Sequence, residues 1–160
     1  MLTAGLAQFE NHGSLLYTRA LMAERQGDID MFHSDLETLI EAEPENAHAL
    51  NALGYHYADG DYNLDEAQVL LEKANRLLPQ DPAILDSLGW LYYRQGKIKS
   101  ALQFLEAAYD VLPDPEIAGH LGEVLWVDGE QDSARKVWEK ALAESPHDDK
   151  LKRVIERFVQ

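Results

Sequence analysis

Apolar residues recur along the chain with the spacing of amphipathic helices. Leu85, Leu88 and Tyr92 follow one another at i, i+3 and i+7, which places their side chains on one face of a helix. Comparable apolar stripes, separated by short polar stretches, occur before and after this segment. The pattern predicts an all-α protein made of short helices that bury one face each.

These stripes belong to an internal repeat. Each of four successive segments ends in a proline, at Pro44, Pro79, Pro113 and Pro146. Between them lie Leu-Gly pairs, each followed by an alanine, a large apolar residue and a second alanine at constant spacing. These trios are Ala67, Leu71, Ala74, then Ala101, Leu105, Ala108, then Ala134, Trp138, Ala141. A period of roughly 34 residues indicates stacked helical units that share one continuous core.

The repeat resembles the tetratricopeptide repeat (TPR) family, in which each unit forms a helix, a turn and a second helix. The resemblance implies one all-α domain, a right-handed α-solenoid of four TPR units with an extra helix at each end. Its implied divisions are units 13–46, 47–81, 82–114 and 115–148, an N-terminal helix in 1–12 and a C-terminal capping helix in 149–160.

Small residues, turns and caps agree with this division. Gly89 and Ala101 are small where the two helices of the third unit are expected to cross, since larger side chains would hold the backbones apart. Gly96 stands at the expected turn between those helices. Asp81-Pro82 has the character of an N-cap followed by proline at the first helical position.

Charge limits the classes of partner. The 160 residues contain 29 Asp and Glu against 14 Lys and Arg, a net charge of −15, so nucleic acid is not expected to bind. Direct contact with an anionic membrane is disfavoured for the same reason. The acidic run 28–45 is interpreted as a solvated outer face, with recruitment of a basic partner or of weakly bound divalent cations as the alternatives. No cysteine is present, which excludes disulfides and cysteine chemistry.

The sequence carries no recognisable catalytic pattern. Its six histidines are scattered, and the motifs HExxH, GxSxG and the P-loop are absent. We therefore expect a protein that is not an enzyme and that needs no cofactor and no metal. The alternative that stays open is a metal enzyme using His48, His56 or His120.

The TPR resemblance also implies a binding surface, because in that family the first helix of each unit lines a concave groove. Here it implies an aromatic-rich groove that binds an extended peptide or a helix of another protein. The implied binding residues are Tyr17, Arg25, His48, Asn51, Tyr55, Asp86, Trp90, Tyr93, Arg94, His120, Glu123 and Trp126. For the aromatic members a second interpretation remains, namely that they pack between neighbouring helices or under the terminal helix.

Segments 83–90 and 119–126 are similar to the C-terminal repeats of proteobacterial TPR lipoproteins. That similarity implies a periplasmic adaptor, tethered to the outer membrane through an N-terminal part missing here, that holds an envelope protease or assembly factor. If the chain is full length, a cytoplasmic location is expected instead. The alternative function is self-assembly into a dimer through an exposed face formed by Leu2, Leu6 and Phe9.

Overall fold

The computed structural model describes residues 13–159, and within them the chain forms helices joined by short turns. The predicted helix in residues 1–12 lies outside the described residues. The described helices are α1 (Gly13–Gln26), α2 (Ile29–Ala42), α3 (Ala47–Asp59), α4 (Leu64–Leu77), α5 (Pro82–Arg94), α6 (Ile98–Val111), α7 (Pro115–Val127), α8 (Gln131–Glu144) and α9 (Asp149–Phe158).

The helices pack as successive pairs. Within each of the segments 13–46, 47–81, 82–114 and 115–148, the first helix makes its most extensive contact with the second helix. Each second helix then contacts the first helix of the next pair, and α3 also packs against α5, as α5 does against α7. This arrangement confirms the prediction of an all-α solenoid.

Close approach at the crossing of paired helices depends on glycine. A Cβ atom at Gly89 would lie 2.5 Å from Cγ of Leu105 and 3.1 Å from the backbone oxygen of Ala101. At Gly54 the same atom would lie 2.7 Å from Cγ of Leu71. The repeated Leu-Gly pair therefore marks the crossing point of α3 with α4 and of α5 with α6, as the sequence predicts.

The predicted caps and turn are confirmed. The side chain of Asp81 accepts hydrogen bonds from the backbone N–H groups of Ala83 and Ile84, and Pro82 occupies the first turn of α5. Asn46, Asp114 and Asp148 cap α3, α7 and α9 in the same way. Gly96 has a φ of +73°, the left-handed conformation that ends α5.

Two larger groups of buried apolar residues form the core. The first is built from α1 to α5 and the second from α6 to α9. The half-buried rings of Tyr92 and Tyr93 on α5 pack against both groups. The C-terminal helix α9 extends the second group, since Leu151 is fully buried and Val154 packs beside it. Among residues 13–159, no helix combines the length and apolar character needed to cross a bilayer.

Candidate functional site

The first helices of the pairs, together with α9, border two adjoining cavities on one face of the stack. The cavities have volumes of about 280 and 500 Å³. Tyr55, Asp114 and Glu116 line both of them, so the two cavities adjoin at these residues. We call the two adjoining cavities together the inner groove. Its walls come from five helices, which is the arrangement expected of a surface that accepts an elongated ligand.

The smaller cavity lies between α1, α3, α5 and the start of α7. Tyr17 and Leu21 line it from α1, Asn51 and Tyr55 from α3, and Asp86 from α5. The amide oxygen Oδ1 of Asn51 is buried, and it has no hydrogen-bond partner among the described residues. Such an oxygen can accept a hydrogen bond from a ligand once the amide turns toward the cavity, and the bond would offset the cost of its burial.

The larger cavity lies between α7 and α9. His120 and Gly119 line it from α7, while Lys150, Leu151 and Val154 line it from α9 and its first turn. A Cβ atom at Gly119 would meet Leu151 and Val154 at 3.9 Å, an ordinary van der Waals distance, so α9 lies next to α7 at this point. The terminal helix therefore forms one wall of the groove as well as covering the last helical pair.

His120 is held at the edge of this groove by Asp86. Its Nδ1 lies 2.9 Å from both carboxylate oxygens of Asp86, which belongs to the preceding helical pair. Burial by itself would lower the pKa of His120, but Asp86, and more weakly Glu116 and Asp59, raise it by a larger amount, so the pKa lies above the usual 6.5. The pair is therefore favoured in its charged form, imidazolium against carboxylate.

Trp90 does not line the open groove. Its ring stacks on His120 with a centroid separation of 4.2 Å, and only 6% of the residue is exposed. The indole N–H donates to Oδ1 of Asp59 at 3.2 Å. Arg94 also turns toward α3, where it donates to the backbone oxygens of Ala58 and Asp59. These side chains join α3, α5 and α7, in line with the packing interpretation of the aromatic residues.

Glu123 is buried on α7 and is bonded from two sides. The hydroxyl of Tyr93 donates to its Oε1 at 3.2 Å, and Nη2 of Arg157 on α9 donates to its Oε2 at 3.1 Å. Burial and the nearby carboxylate both raise the pKa of Tyr93 above its usual value, so its hydroxyl stays protonated and can donate. This contact links α5, α7 and α9 across the inner face.

Trp126 forms part of the packing under α9. Its ring stacks on Trp138 of α8 at a centroid distance of 5.8 Å and lies 6.2 Å from Phe158 of α9. The guanidinium of Arg135 covers its outer side at 5.1 Å. Trp126 thus stabilises the C-terminal end of the stack.

Tyr55 occupies the middle of the groove. It lines both cavities, and its ring centroid lies 6.1 Å from that of His120. Burial, followed by the charges of Asp59, Glu116, Asp86 and Glu24, raises the pKa of its hydroxyl well above the usual range. Tyr55 therefore presents a neutral hydroxyl that can donate a hydrogen bond at any physiological pH.

The twelve side chains named from the sequence are thus divided among different surroundings. The inner groove contains Tyr17, Asn51, Tyr55, Asp86 and His120. Five others make contacts between helices, namely Trp90, Tyr93, Arg94, Glu123 and Trp126. Arg25 is exposed at the end of α1, and His48 lies beside a separate depression formed by the loops that follow α2 and α4.

The sequence pattern misses several groove residues. Asp114, Glu116, Asp148 and Lys150 lie where one pair ends and the next begins. A signal for them is present in the sequence, since the N-cap residues Asp114 and Asp148 mark where α7 and α9 begin. The residues at these helix starts lie in the wall of the groove. No cluster of three or more His, Asp and Glu side chains suited to hold a metal ion occurs in the part of the chain that the structure describes.

Comparison of the sequence with known proteins finds similarity to proteins that contain tetratricopeptide repeats. The family model for the tetratricopeptide repeat matches residues 57–123. The TPR repeat-containing protein PA4667 of Pseudomonas aeruginosa is 50% identical over 119 residues, which is 74% of this chain and 20% of that protein. Bacteriophage adsorption protein A of Escherichia coli is 27% identical over 92 residues, 58% of this chain and 9% of that protein. The chain thus spans a fifth or less of the length of these relatives.

Comparison of the structures agrees. The thermophilic TPR protein TTC0263 of Thermus thermophilus superposes with a TM-score of 0.85 at 22% identity, covering 99% of this chain and 88% of that protein. At this level of identity the likeness concerns the fold. Together with the repeat signature and the paired helices, these comparisons show that the chain belongs to the tetratricopeptide repeat family.

Proposed function

We propose that this chain is a protein-interaction scaffold that binds an extended segment of a partner protein in the inner groove. The TPR fold supports the general role, because proteins of this fold are in general non-catalytic scaffolds. The observation that carries the finer proposal is that the two cavities of the groove adjoin at Tyr55, Asp114 and Glu116 and together are walled by five helices. A segment lying across α1, α3, α5 and α7 would contact all four pairs at once.

Site-specific crosslinking tests this proposal. A photo-crosslinking amino acid is placed at Ala52, which lines the groove, and in a matched variant at Val69 on α4, which is 65% exposed. We expect the probe at Ala52 to trap a partner, with the trapped peptide identified by mass spectrometry, and the probe at Val69 to trap none. Trapping from Val69 alone would place the partner on the outer face.

The same experiment tests the alternative of self-assembly. If the probe at Ala52 crosslinks two copies of this chain, the groove binds a second copy of the chain rather than a different protein. The terminal face proposed for a dimer, Leu2, Leu6 and Phe9, lies outside the described residues. A dimer through those residues predicts a concentration-dependent mass that their replacement by serine abolishes.

We also propose that the chain acts in the bacterial cell envelope, as a periplasmic part of a larger outer-membrane-tethered protein that holds a protease or assembly factor. The support is the similarity of segments 83–90 and 119–126 to the C-terminal repeats of proteobacterial TPR lipoproteins, together with the 50% identity to a much longer TPR protein of Pseudomonas aeruginosa. The test is fractionation of cells expressing the natural gene with a C-terminal tag. Recovery of the tag in the outer-membrane fraction is expected, and recovery in the cytosol would exclude the proposal.

A further inference from the structure

We infer that the segment bound in the inner groove is basic, an extended stretch of the partner in which lysine or arginine side chains alternate with apolar ones. This inference rests on the proposed function, since it names the chemistry of what the groove binds. Three independent features support it, namely the charges along the groove, an unsatisfied acceptor in its wall and the apolar surfaces between them.

The charges along the groove are mainly negative. The carboxylates lining the two cavities are Glu24, Asp86, Asp114, Glu116 and Asp148. Among the described lining residues, Lys150 supplies a positive charge, and His120 is already bonded to Asp86. The groove therefore has an excess of negative charge within a cleft of partly low dielectric, where attraction to a cation is stronger than on an open surface.

The individual carboxylates are arranged along the length of the groove. Glu24 lies at the α1 end, where its Oε1 is 3.3 Å from Nδ1 of His56. Asp114 and Asp148 each use Oδ1 to cap a helix, while Glu116 is exposed in the first turn of α7. Negative charge is thus present at both ends and in the middle, which fits several cations on one segment better than one bound ion.

Asn51 supplies the second feature. Its buried Oδ1 lacks a hydrogen-bond partner among the described residues, and the residue lies in the wall of the smaller cavity. The neighbouring hydroxyl of Ser87 already donates to the backbone oxygen of Ala83. An extended segment carries a backbone N–H at every residue other than proline, and one of these would satisfy Asn51 after a small rotation of its amide.

Apolar surface between the charges supplies the third feature. Tyr17, Leu21, Tyr55, Leu112 and Ile117 line the smaller cavity beside the carboxylates. The hydrocarbon stems of lysine and arginine pack well on such surfaces while the charged ends reach carboxylates at the rim. An acidic segment would meet repulsion at the same positions.

The test uses two variants that change net charge equally but at different places. The groove variant is Glu24→Gln, Asp114→Asn and Glu116→Gln, in which the cap of α7 is kept because asparagine caps helices as well as aspartate does. The control variant is Glu106→Gln, Asp132→Asn and Glu139→Gln, all exposed positions of α6 and α8. The probe is a fluorescent extended peptide in which lysine alternates with valine, and its counterpart carries glutamate in place of lysine. Circular dichroism verifies the folding of each variant.

We expect the lysine peptide to bind the natural chain at low salt. Its affinity for the groove variant should be lower by about tenfold or more. The control variant should stay within about twofold, and the glutamate peptide should not bind. A separate Asn51→Leu variant should weaken binding without changing its dependence on salt, because it removes a neutral acceptor rather than a charge.

If the two triple variants lower the affinity for the lysine peptide equally, the inference is overturned, because binding would then depend on the net charge of the protein rather than on the groove. Absence of lysine-peptide binding, or binding of the glutamate peptide, would also overturn it. Failure of the proposed function is separate, because it appears as loss of crosslinking from Ala52. If crosslinking from Ala52 succeeds and the trapped segment is acidic or neutral, the scaffold function stands and only this inference fails.

Discussion

At the scale of single residues, Gly89 lies under a tight steric constraint. A methyl group there would already overlap the side chain of Leu105 and press on the backbone of Ala101. We expect Gly89→Leu to lower the free energy of unfolding by more than about 2 kcal/mol, because relief requires the two helices to separate. Chemical denaturation followed by circular dichroism measures the change.

Gly119 provides the matched control for this prediction. It is also a buried helical glycine, but an added Cβ would meet its neighbours at ordinary van der Waals distance. Gly119→Ala should therefore be neutral or stabilise by up to about 1 kcal/mol, as expected for removal of a helical glycine. If Gly89→Ala were as well tolerated as Gly119→Ala, the assigned crossing of α5 and α6 would be contradicted.

His120 makes stability depend on pH in a definite direction. Because Asp86 raises its pKa in the folded state, the folded protein binds the proton more tightly than the unfolded chain does. The resulting stabilisation is fully present below the unfolded pKa of about 6.5 and is lost as the pH rises through the folded value. Denaturation midpoints should therefore fall as the pH rises from 6.5 through the folded pKa of His120.

Replacing the histidine tests this origin. His120→Gln should be less stable at about pH 6 and should show a smaller loss as the pH rises, because it removes the group whose pKa differs between the folded and unfolded states. His48→Gln, at an exposed position, should retain the full pH dependence. An unchanged pH profile for His120→Gln would show that the raised pKa of His120 is not the source of the pH dependence.

At the scale of helices, α9 is amphipathic, with one apolar face buried against the preceding pair and one polar face exposed. Leu151 is only 1% exposed and packs with Val154, whereas Arg153 is exposed between them. We expect Leu151→Ala to destabilise by about 2–5 kcal/mol, because it leaves a cavity under the helix. Arg153→Ala should change stability by less than about 0.5 kcal/mol. Equal effects of both in chemical denaturation would contradict the docking of α9 by its apolar face.

Helix positions could be predicted from the sequence because local signals agree with the repeat. The Leu-Gly pairs, the Asp-Pro starts and the Gly96 turn each have a physical cause that acts within a few residues. The α3–α4 connection departs from this regularity, since Asp61 and Asn63 both adopt positive φ there. A turn of this kind is less easily predicted, because residues other than glycine rarely adopt this conformation.

The candidate site could be predicted only in part, because its residues meet across units. The family pattern places Trp90 on the inner face, but it cannot show that His120, in the next unit, covers the ring. In the same way the family pattern places Glu123 among the binding residues, but it does not show that Arg157 of the terminal helix donates a hydrogen bond to its carboxylate. Contacts between successive units depend on which side chains face each other, and a single sequence does not display this pairing.

At the scale of the whole molecule, Tyr92 and Tyr93 connect the two main buried clusters. In repeat proteins, contacts between neighbouring units determine how cooperatively the stack unfolds. We expect the double variant Tyr92→Ala, Tyr93→Ala to separate unfolding into two steps, with residues before α5 and after α6 exchanging amide hydrogens at different rates. Hydrogen-exchange mass spectrometry measures this difference.

Tyr62 offers the control for the tyrosine pair, since it lies 38% exposed in the α3–α4 turn. Tyr62→Ala should leave a single cooperative transition. Two separate transitions in both variants would show that the division does not depend on the tyrosines of α5, and one transition in both would show that the clusters are coupled by other contacts.

The polar contacts between successive units also have a mechanical consequence. Asp86 with His120, and Glu123 with Arg157, join side chains on the inner face that are 34 residues apart, which is one repeat. Because these links lie on one side of the stack, they resist opening of that side more than bending the other way. Loss of the proton from His120 as the pH rises through its folded pKa would lower the bending stiffness at one joint, so the solenoid would become more compliant where α5 meets α7.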